Sequence, residues 1–386
     1  MGDENVESVL RACQILHCFR EDDELLRLCD IVKRTAFSKT TAYRLLLTLE
    51  QGGVLERTGP SHFRRRFRPT EHKKVRIGFA AQTSDSTFSR LVTDSIHRAA
   101  QSYGVELVVA DNRYSTKMAL RNVEILIRKR VNIVLEFQSY ESIAPVIASH
   151  FLQAGIPVIA IEIPHPGAVY FGVDNYQAGL IGGRALGRWA KTHWDGQVEE
   201  IVLLREDVAG SLPGSRVTGM LAGIREVLRS SQECVVTTFD GKGSFRGSYE
   251  IVRRHLDKGS RLHRTLVAAN NDPSALGALK AFEDCGRQSH CAVISQNSIH
   301  EAREELRRPG SRLVGSVAYF PERYGDQLLP LALSIVRGKP APPAAFIKHV
   351  LVTPQNVQRI YPNDKEPNHK ESNHKESNGE AIVPPQ

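Results

Sequence analysis

The spacing of apolar positions changes once along the chain, and the change divides it. Near the start the period is helical. Val6, Val9, Leu10, Cys13 and Leu16 predict an amphipathic helix over residues 5–19. Leu28, Ile31 and Val32 mark a short second helix. After the turn Thr35-Ala36-Phe37, Ser38 is placed to cap a third helix that reaches Gln51. Ala42, Leu45, Leu46 and Leu49 form its inward stripe, and Gly52-Gly53 stops it. Val54–Arg57 and Phe63–Arg68 then read as two short strands around Gly59-Pro60-Ser61. Three helices followed by a hairpin make a winged helix-turn-helix over residues 1–68, and 69–74 is a short polar linker.

Beyond the linker, apolar strands alternate with helical stretches. The expected strands are Val75–Ala80, Val105–Ala110, Val131–Phe137, Ile156–Glu162, Ile201–Arg205, Cys234–Phe239, Thr265–Ala269, Ala292–Ser295 and Leu313–Ala318. Such alternation gives parallel sheets covered by helices on both faces. This number of strands exceeds one comfortable open sheet, so residues 75–361 are expected to form two similar lobes. The fold class is therefore α/β, with an N-terminal winged helix-turn-helix and a two-lobed parallel domain. From 362 to 386 the chain turns into a polar five-residue repeat, Glu366-Pro367-Asn368-His369-Lys370 and onward, which cannot bury a core and is expected to be disordered.

Composition narrows the function classes. A chain of 386 residues suits two or three domains. Its net charge of +8 is concentrated, because Arg57, Arg64, Arg65, Arg66, Arg68, Lys73, Lys74 and Arg76 face only Glu71 in that stretch. The six cysteines include no C-x-x-C pair and read as free thiols in a reducing compartment. Neither a signal-peptide pattern nor a run of 18 apolar residues is present, so the expected location is cytoplasmic, away from membrane. No H-E-x-x-H, G-x-S-x-G or tight metal-ligand cluster is legible, so no catalytic residue, metal or cofactor is expected. Asp240-Gly241-Lys242-Gly243-Ser244 lacks phosphate-loop spacing and reads as a turn. Gly179, Gly182, Gly183 and Gly187 read as a helix-packing stripe.

A helix in the major groove must present hydrogen-bonding side chains on one face while its other face packs on the domain. The outward face of the third helix carries Lys39, Thr40, Tyr43 and Arg44. Lys39, Thr40 and Thr41 sit at its N-terminus, where backbone N–H groups favour phosphate. In the hairpin, strand alternation sends Arg64, Arg66 and Arg68 to one side as a phosphate-tracking wing, with Phe63, Arg65 and Phe67 on the other. Ser8-Val9-Leu10-Arg11-Ala12, Ile15-Leu16 and the stretch from Arg34 to Glu50 resemble the DNA-binding domain of the IclR family of bacterial regulators. The resemblance implies that Ser38, Lys39, Thr40, Thr41, Tyr43 and Arg44 meet operator DNA. The family usually carries glycine at the position of Ala36, so the turn is expected to differ slightly.

The remainder resembles the type I periplasmic binding proteins and the ligand-binding core of the LacI family. Val75-Arg76-Ile77-Gly78-Phe79-Ala80, Gly155-Ile156-Pro157-Val158-Ile159-Ala160, Val173-Asp174-Asn175-Tyr176, Gly214-Ser215-Arg216 and Asn270-Asn271-Asp272-Pro273 carry the likeness. It implies a small-molecule effector, of carbohydrate or polyol type, held between the lobes. At the matching positions Phe88 would stack. Glu162, Arg216, Asn271 and Asn297 would bond hydroxyls, while Gln138 and Tyr319 would close the cleft. Asp174 would order the crossing between lobes. Relatives often have Asp at the positions of Glu162 and Asn297, which leaves the effector open. The reading is a ligand-responsive regulator, expected to act as a homodimer. Two alternatives stand beside it. One is a solute-binding protein of a transport system, which would need export. The other is a carbohydrate-processing enzyme, which would need a carboxylate partner for Glu162.

Overall fold

The structure is a computed structural model that describes residues 6–21, 24–65, 74–228, 234–258, 264–362 and 364. It divides into two compact units, Met1–Val75 and Arg76–Gln386. The first contains α1 (Glu7–His17), β1 (Leu26–Arg27), α2 (Leu28–Thr35), α3 (Lys39–Gln51), β2 (Leu55–Gly59) and β3 (His62–Arg65). The strands form an antiparallel sheet in the order β1-β3-β2. Ile15, Phe19, Leu26, Ile31, Leu46, Leu55 and Phe63 make its core. The two-residue β1 was not anticipated, being too short to show a period.

Two expectations for this unit are corrected. The stripe Val6, Val9, Leu10 and Cys13 faces outward, because only the last turns of α1, around Ile15, reach the core. The turn after α2 keeps the left-handed conformation although it lacks glycine: Ala36 sits at φ 58°. That costs about 1 kcal/mol. Thr35 supports the turn, its hydroxyl donating to the Ile31 carbonyl at 2.8 Å and accepting from Phe37 N at 3.3 Å. Arg66, Phe67, Arg68, residues 69–73 of the linker and the repeat in the tail lie outside the described residues.

The second unit builds two parallel sheets. One lobe comprises β4 (Arg76–Ala81), α4 (Thr87–Ser102), β5 (Glu106–Asp111), α5 (Thr116–Arg128), β6 (Ile133–Glu136), α6 (Ala144–Gln153), β7 (Val158–Ile161) and β8 (Val169–Gly172). The chain then enters the other lobe through α7 (Asn175–Trp194). It continues with β9 (Glu200–Arg205), α8 (Ser211–Val227), β10 (Val235–Asp240), α9 (Phe245–Lys258), β11 (Thr265–Ala269), α10 (Asp272–Asp284), β12 (Cys291–Asn297), α11 (His300–Arg307) and β13 (Leu313–Ala318). It returns as α12 (Tyr324–Val336), which packs on α4, and as β14 (Ala344–Phe346). A last crossing gives β15 (Val350–Val352) and α13 (Val357–Ile360). The sheet orders are β14-β8-β7-β6-β4-β5 and β10-β9-β11-β12-β13-β15, parallel throughout except for β15 on β13.

All the expected strands are present, with ends moved by at most two residues. The additions β8, β14 and β15 span three or four residues each, below the length at which apolar runs announce a strand. The glycines of α7 do serve packing. A Cβ on Gly179 or Gly183 would collide with the backbone of Arg216 or Met220, and one on Gly219 or Gly223 with that of Tyr176 or Leu180. Two helices interlocked this closely fix the position of Arg216. Asp364, assigned from sequence to the tail, is held by Arg303 and Arg307 at 2.7 Å.

One buried carboxyl stands out in the first lobe. Glu136 Oε1 accepts from Asn112 Nδ2 at 3.2 Å, and Asn112 Oδ1 accepts from Asn122 Nδ2 at 2.8 Å. Oε2 has no hydrogen-bond partner among the described residues. Burial pushes this carboxyl up to about 8, against the weaker opposing pull of Asn112. The folded chain therefore holds the Glu136 proton more tightly than the unfolded chain, whose carboxyl titrates near 4.5. The native state gains from that proton at low pH and loses the gain as pH rises toward 8. Glu136→Gln is expected to flatten the fall in Tm between pH 5 and 8. Equal slopes in the two proteins would contradict this.

Candidate functional site

The first site is the exposed face of α3. Ser38 adopts an extended conformation, and its hydroxyl accepts from Thr41 N at 3.2 Å, closing the helix start as expected. Thr41 is half-buried and turns its own hydroxyl to Ser38 at 2.9 Å. Ala42 and Leu46 pin the inner face. Lys39, Thr40 and Arg44 are exposed on the outer one. Tyr43, read from sequence as outward, is half-buried against the core. In the wing, Phe63 is fully buried, and Arg64 pairs with Glu56 across the hairpin at 2.9 Å. Both partners are about half exposed, so phosphate can replace the pairing at little cost.

The second site is a cavity of about 770 Å³ between the lobes of the larger unit. It opens at the C-terminal ends of the parallel strands, where this architecture leaves a crevice. Of the expected ligand residues, Phe88, Glu162, Arg216, Asn271 and Asn297 line it. Phe88 is held edge-on by Phe137 and Tyr324, with centroids 6.4 and 6.0 Å away. Glu162 and Asn297 follow or close their strands at φ 64° and 98°, left-handed values that cost non-glycine residues energy and gather at functional sites.

Arg216 is the most connected side chain there. Its Nε and Nη2 donate to Asn175 Oδ1 at 3.1 and 2.7 Å, and Nη1 donates to the Asn270 carbonyl at 2.8 Å. Nη2 lies 3.9 Å from Glu162 of the opposite lobe, and the guanidinium stacks 5.0 Å from the Tyr319 ring centroid. Glu162 also accepts from the Tyr324 hydroxyl at 2.5 Å. Burial pushes the Glu162 carboxyl up, and Arg216 and Tyr324 pull it back.

Gln138 and Tyr319 do not line the cavity. Gln138 is buried, and its Oε1 accepts from Tyr140 N. Tyr319 lies at the crossing that follows β13 and donates to Gln296 Oε1 at 2.6 Å. Asn271 lines the wall but is also occupied, accepting from Ser274 N at 3.0 Å and donating to the Gly243 carbonyl at 2.9 Å. Asp174 caps α7, accepting from Gln177 N at 3.1 Å.

Sequence reasoning missed Tyr114, Glu206 and Asp240, which line the cavity, and Glu141, which bridges the lobes. A positional signal existed for two of them: Glu206 directly follows β9 and Asp240 ends β10. Glu141 accepts from the amide and hydroxyl of Ser211, at 3.3 and 3.2 Å, and so caps α8 from the other lobe. Gly210, at φ 88°, makes room for it, since a Cβ there would strike the Glu141 carboxylate. Thr87 donates to Glu301 across the cleft at 2.7 Å.

Comparison with known proteins places this geometry. The family described as periplasmic binding protein domain matches residues 77–340, and the IclR helix-turn-helix domain matches residues 8–59. The D-galactose/methyl-galactoside binding periplasmic protein of Haemophilus influenzae is 22% identical over 282 residues, 69% of this chain and 83% of that protein. The ribose import binding protein of Escherichia coli is 22% identical over 269 residues, covering 69% and 86%. An ABC transporter periplasmic solute binding protein from Actinobacillus succinogenes, solved with bound D-allose, superposes with a TM-score of 0.63 at 16% identity. The match covers 74% of this chain and all of that one.

Arg216→Ala would leave Glu162, Asn175 and the Asn270 carbonyl facing a buried gap. The expected loss is about 3–5 kcal/mol of stability, read by denaturant unfolding. Arg216→Lys is expected to recover little of it, having no planar fork. Full recovery by lysine would show that charge alone is what the site needs.

Proposed function

Because the chain belongs to the periplasmic binding protein domain family and carries an IclR helix-turn-helix domain ahead of that domain, we propose that it is a DNA-binding regulator whose cleft senses a sugar or related polyol. The pairing of the two domains in one chain carries the reading. Support for the first half comes from the exposed Lys39, Thr40 and Arg44 on α3. Lys39 and Thr40 would position the helix through phosphates, with Arg44 reading a guanine edge or clamping a phosphate. Arg64, Arg66 and Arg68 of the wing would track phosphates. Support for the second half comes from the aromatic, carboxylate, amide and guanidinium groups in the cavity, together with relatives named for galactose and ribose.

The working form would be a homodimer, which two half-sites require. The outward stripe Val6, Val9, Leu10 and Cys13 on α1 offers a surface for the second copy. Effector binding would favour the closed lobes, in which Glu141 meets Ser211 and Thr87 meets Glu301. It would thereby alter the spacing of the paired DNA-binding units.

Two measurements test this. Arg44→Ala should weaken binding to a selected operator by about 1–3 kcal/mol, and Arg64→Ala should lower the log–log salt slope by about 0.9. Undiminished specificity in the first variant would remove α3 from the interface, and an unchanged slope in the second would remove Arg64. Separately, aldoses and cyclitols should raise the Tm of the full chain and shift its operator affinity. Stabilisation by purines, amino acids or organic acids instead would overturn the effector class.

A further inference from the structure

The cleft carries more negative charge than a neutral polyol calls for. Five carboxylates line it, from Asp85, Glu162, Glu206, Asp240 and Glu301, against the cations Arg216 and Lys242. Glu301 is engaged by Thr87 at 2.7 Å. Arg216 stands by Glu162, and its field also reaches Glu206, so one guanidinium serves two carboxylates. The field of Lys242 acts on Glu250, which does not line the cavity.

Glu206 follows β9 and Asp240 ends the neighbouring β10, so the two sit at adjacent strand ends and line the same wall. Their mutual repulsion adds to burial in raising the Glu206 carboxyl. Among the described residues, no Lys, Arg or His side-chain nitrogen lies within 4.0 Å of either, and Asp240 Oδ1 accepts only the uncharged backbone amide of Lys242, at 2.9 Å. The neighbour that reaches Glu206 is a neutral amide rather than a cation. Asn270 is 7% exposed and reaches Glu206 Oε2 through Nδ2 at 3.5 Å. Its Oδ1 has no hydrogen-bond partner among the described residues. Gly243, at φ 61°, lets the turn after β10 close on Glu206, where a Cβ would strike the carboxylate.

A hydroxyl brings this wall one donor and no charge. An ammonium brings three donors, no acceptor and the missing positive charge. We propose that the effector is a polyol bearing a protonated amine, an amino sugar or aminocyclitol, with its ammonium against Glu206 and Asp240. This rests on the sugar-sensing reading and narrows its chemical class. The same charge balance disfavours sugar phosphates and sugar acids, because their anions would join a wall whose carboxyl groups outnumber its cations.

The test is calorimetric titration of the full chain with matched probes: D-glucosamine and D-glucose, D-galactosamine and D-galactose, and scyllo-inosamine and scyllo-inositol. In at least one pair the amine is expected to bind about tenfold tighter or better, as a charge-assisted hydrogen bond provides. Glu206→Gln or Asp240→Asn, each with an unchanged circular dichroism spectrum, should narrow that difference to about twofold. Equal or tighter binding of the hydroxyl member in every pair that binds overturns the ammonium and leaves the sugar reading standing. An amine preference that survives in both variants overturns the assigned seat. Absence of binding by every probe overturns the proposal and the sugar reading together.

Discussion

A guanidinium buried between two lobes must have an acceptor for its donors, and the larger unit is arranged around meeting that demand for Arg216. Asn175 and the Asn270 carbonyl take its hydrogen bonds from one lobe, and Glu162 supplies countercharge from the other. Tyr319 provides a face for it to stack on. Removing two charges from water is expensive, and only near-complete pairing makes the arrangement tolerable. The interlocked glycines of α7 and α8 let the helix carrying Arg216 approach closely enough for these distances to exist. Because Glu162 and Arg216 sit on different lobes, their electrostatics and lobe closure are one problem rather than two.

Much of this was legible in the chain. Strand and helix periods are set by residues that must be buried, and the nine expected strands are long enough to show them. What stayed hidden was short or non-local. The edge strands β14 and β15 take their identity from neighbours distant in sequence, such as Tyr170 for Ala344, and β8 is only four residues long. The site divides in the same way. Phe88, Glu162, Arg216, Asn271 and Asn297 were assigned to the cleft by resemblance to known positions, and they line the cavity. Glu206 and Asp240 were missed because a carboxylate after a strand looks like any solvent-facing turn until the other lobe covers it. Gln138 and Tyr319 show the reverse error. Their chemistry suits a sugar, yet their side chains are committed to Tyr140 and Gln296.

The smaller unit shows how local chemistry can override a preferred residue. Glycine would fit the left-handed turn after α2 without strain, but Ala36 adopts it because the hydrogen bonds of Thr35 and the packing on either side over-determine the path. On the wing, alternation correctly buried Phe63 and left Arg64 beside Glu56. A sequence run of arginines reads as uncompensated charge, whereas a hairpin can place a carboxylate opposite one of them.

The edge strand β14 closes the first lobe's sheet, yet it is encoded after every strand but one of the second. Its parallel pairing with β8 joins residues more than a hundred and seventy positions apart. A ribosome therefore delivers the helix-turn-helix segment whole, and then most of one lobe with an open edge that waits through the synthesis of the other. Contacts this distant in sequence slow folding and leave a bare strand edge exposed meanwhile. The threading that carries the chain three times between the lobes also makes the two lobes mature together and late, so the helix-turn-helix segment can be structured before the larger unit exists.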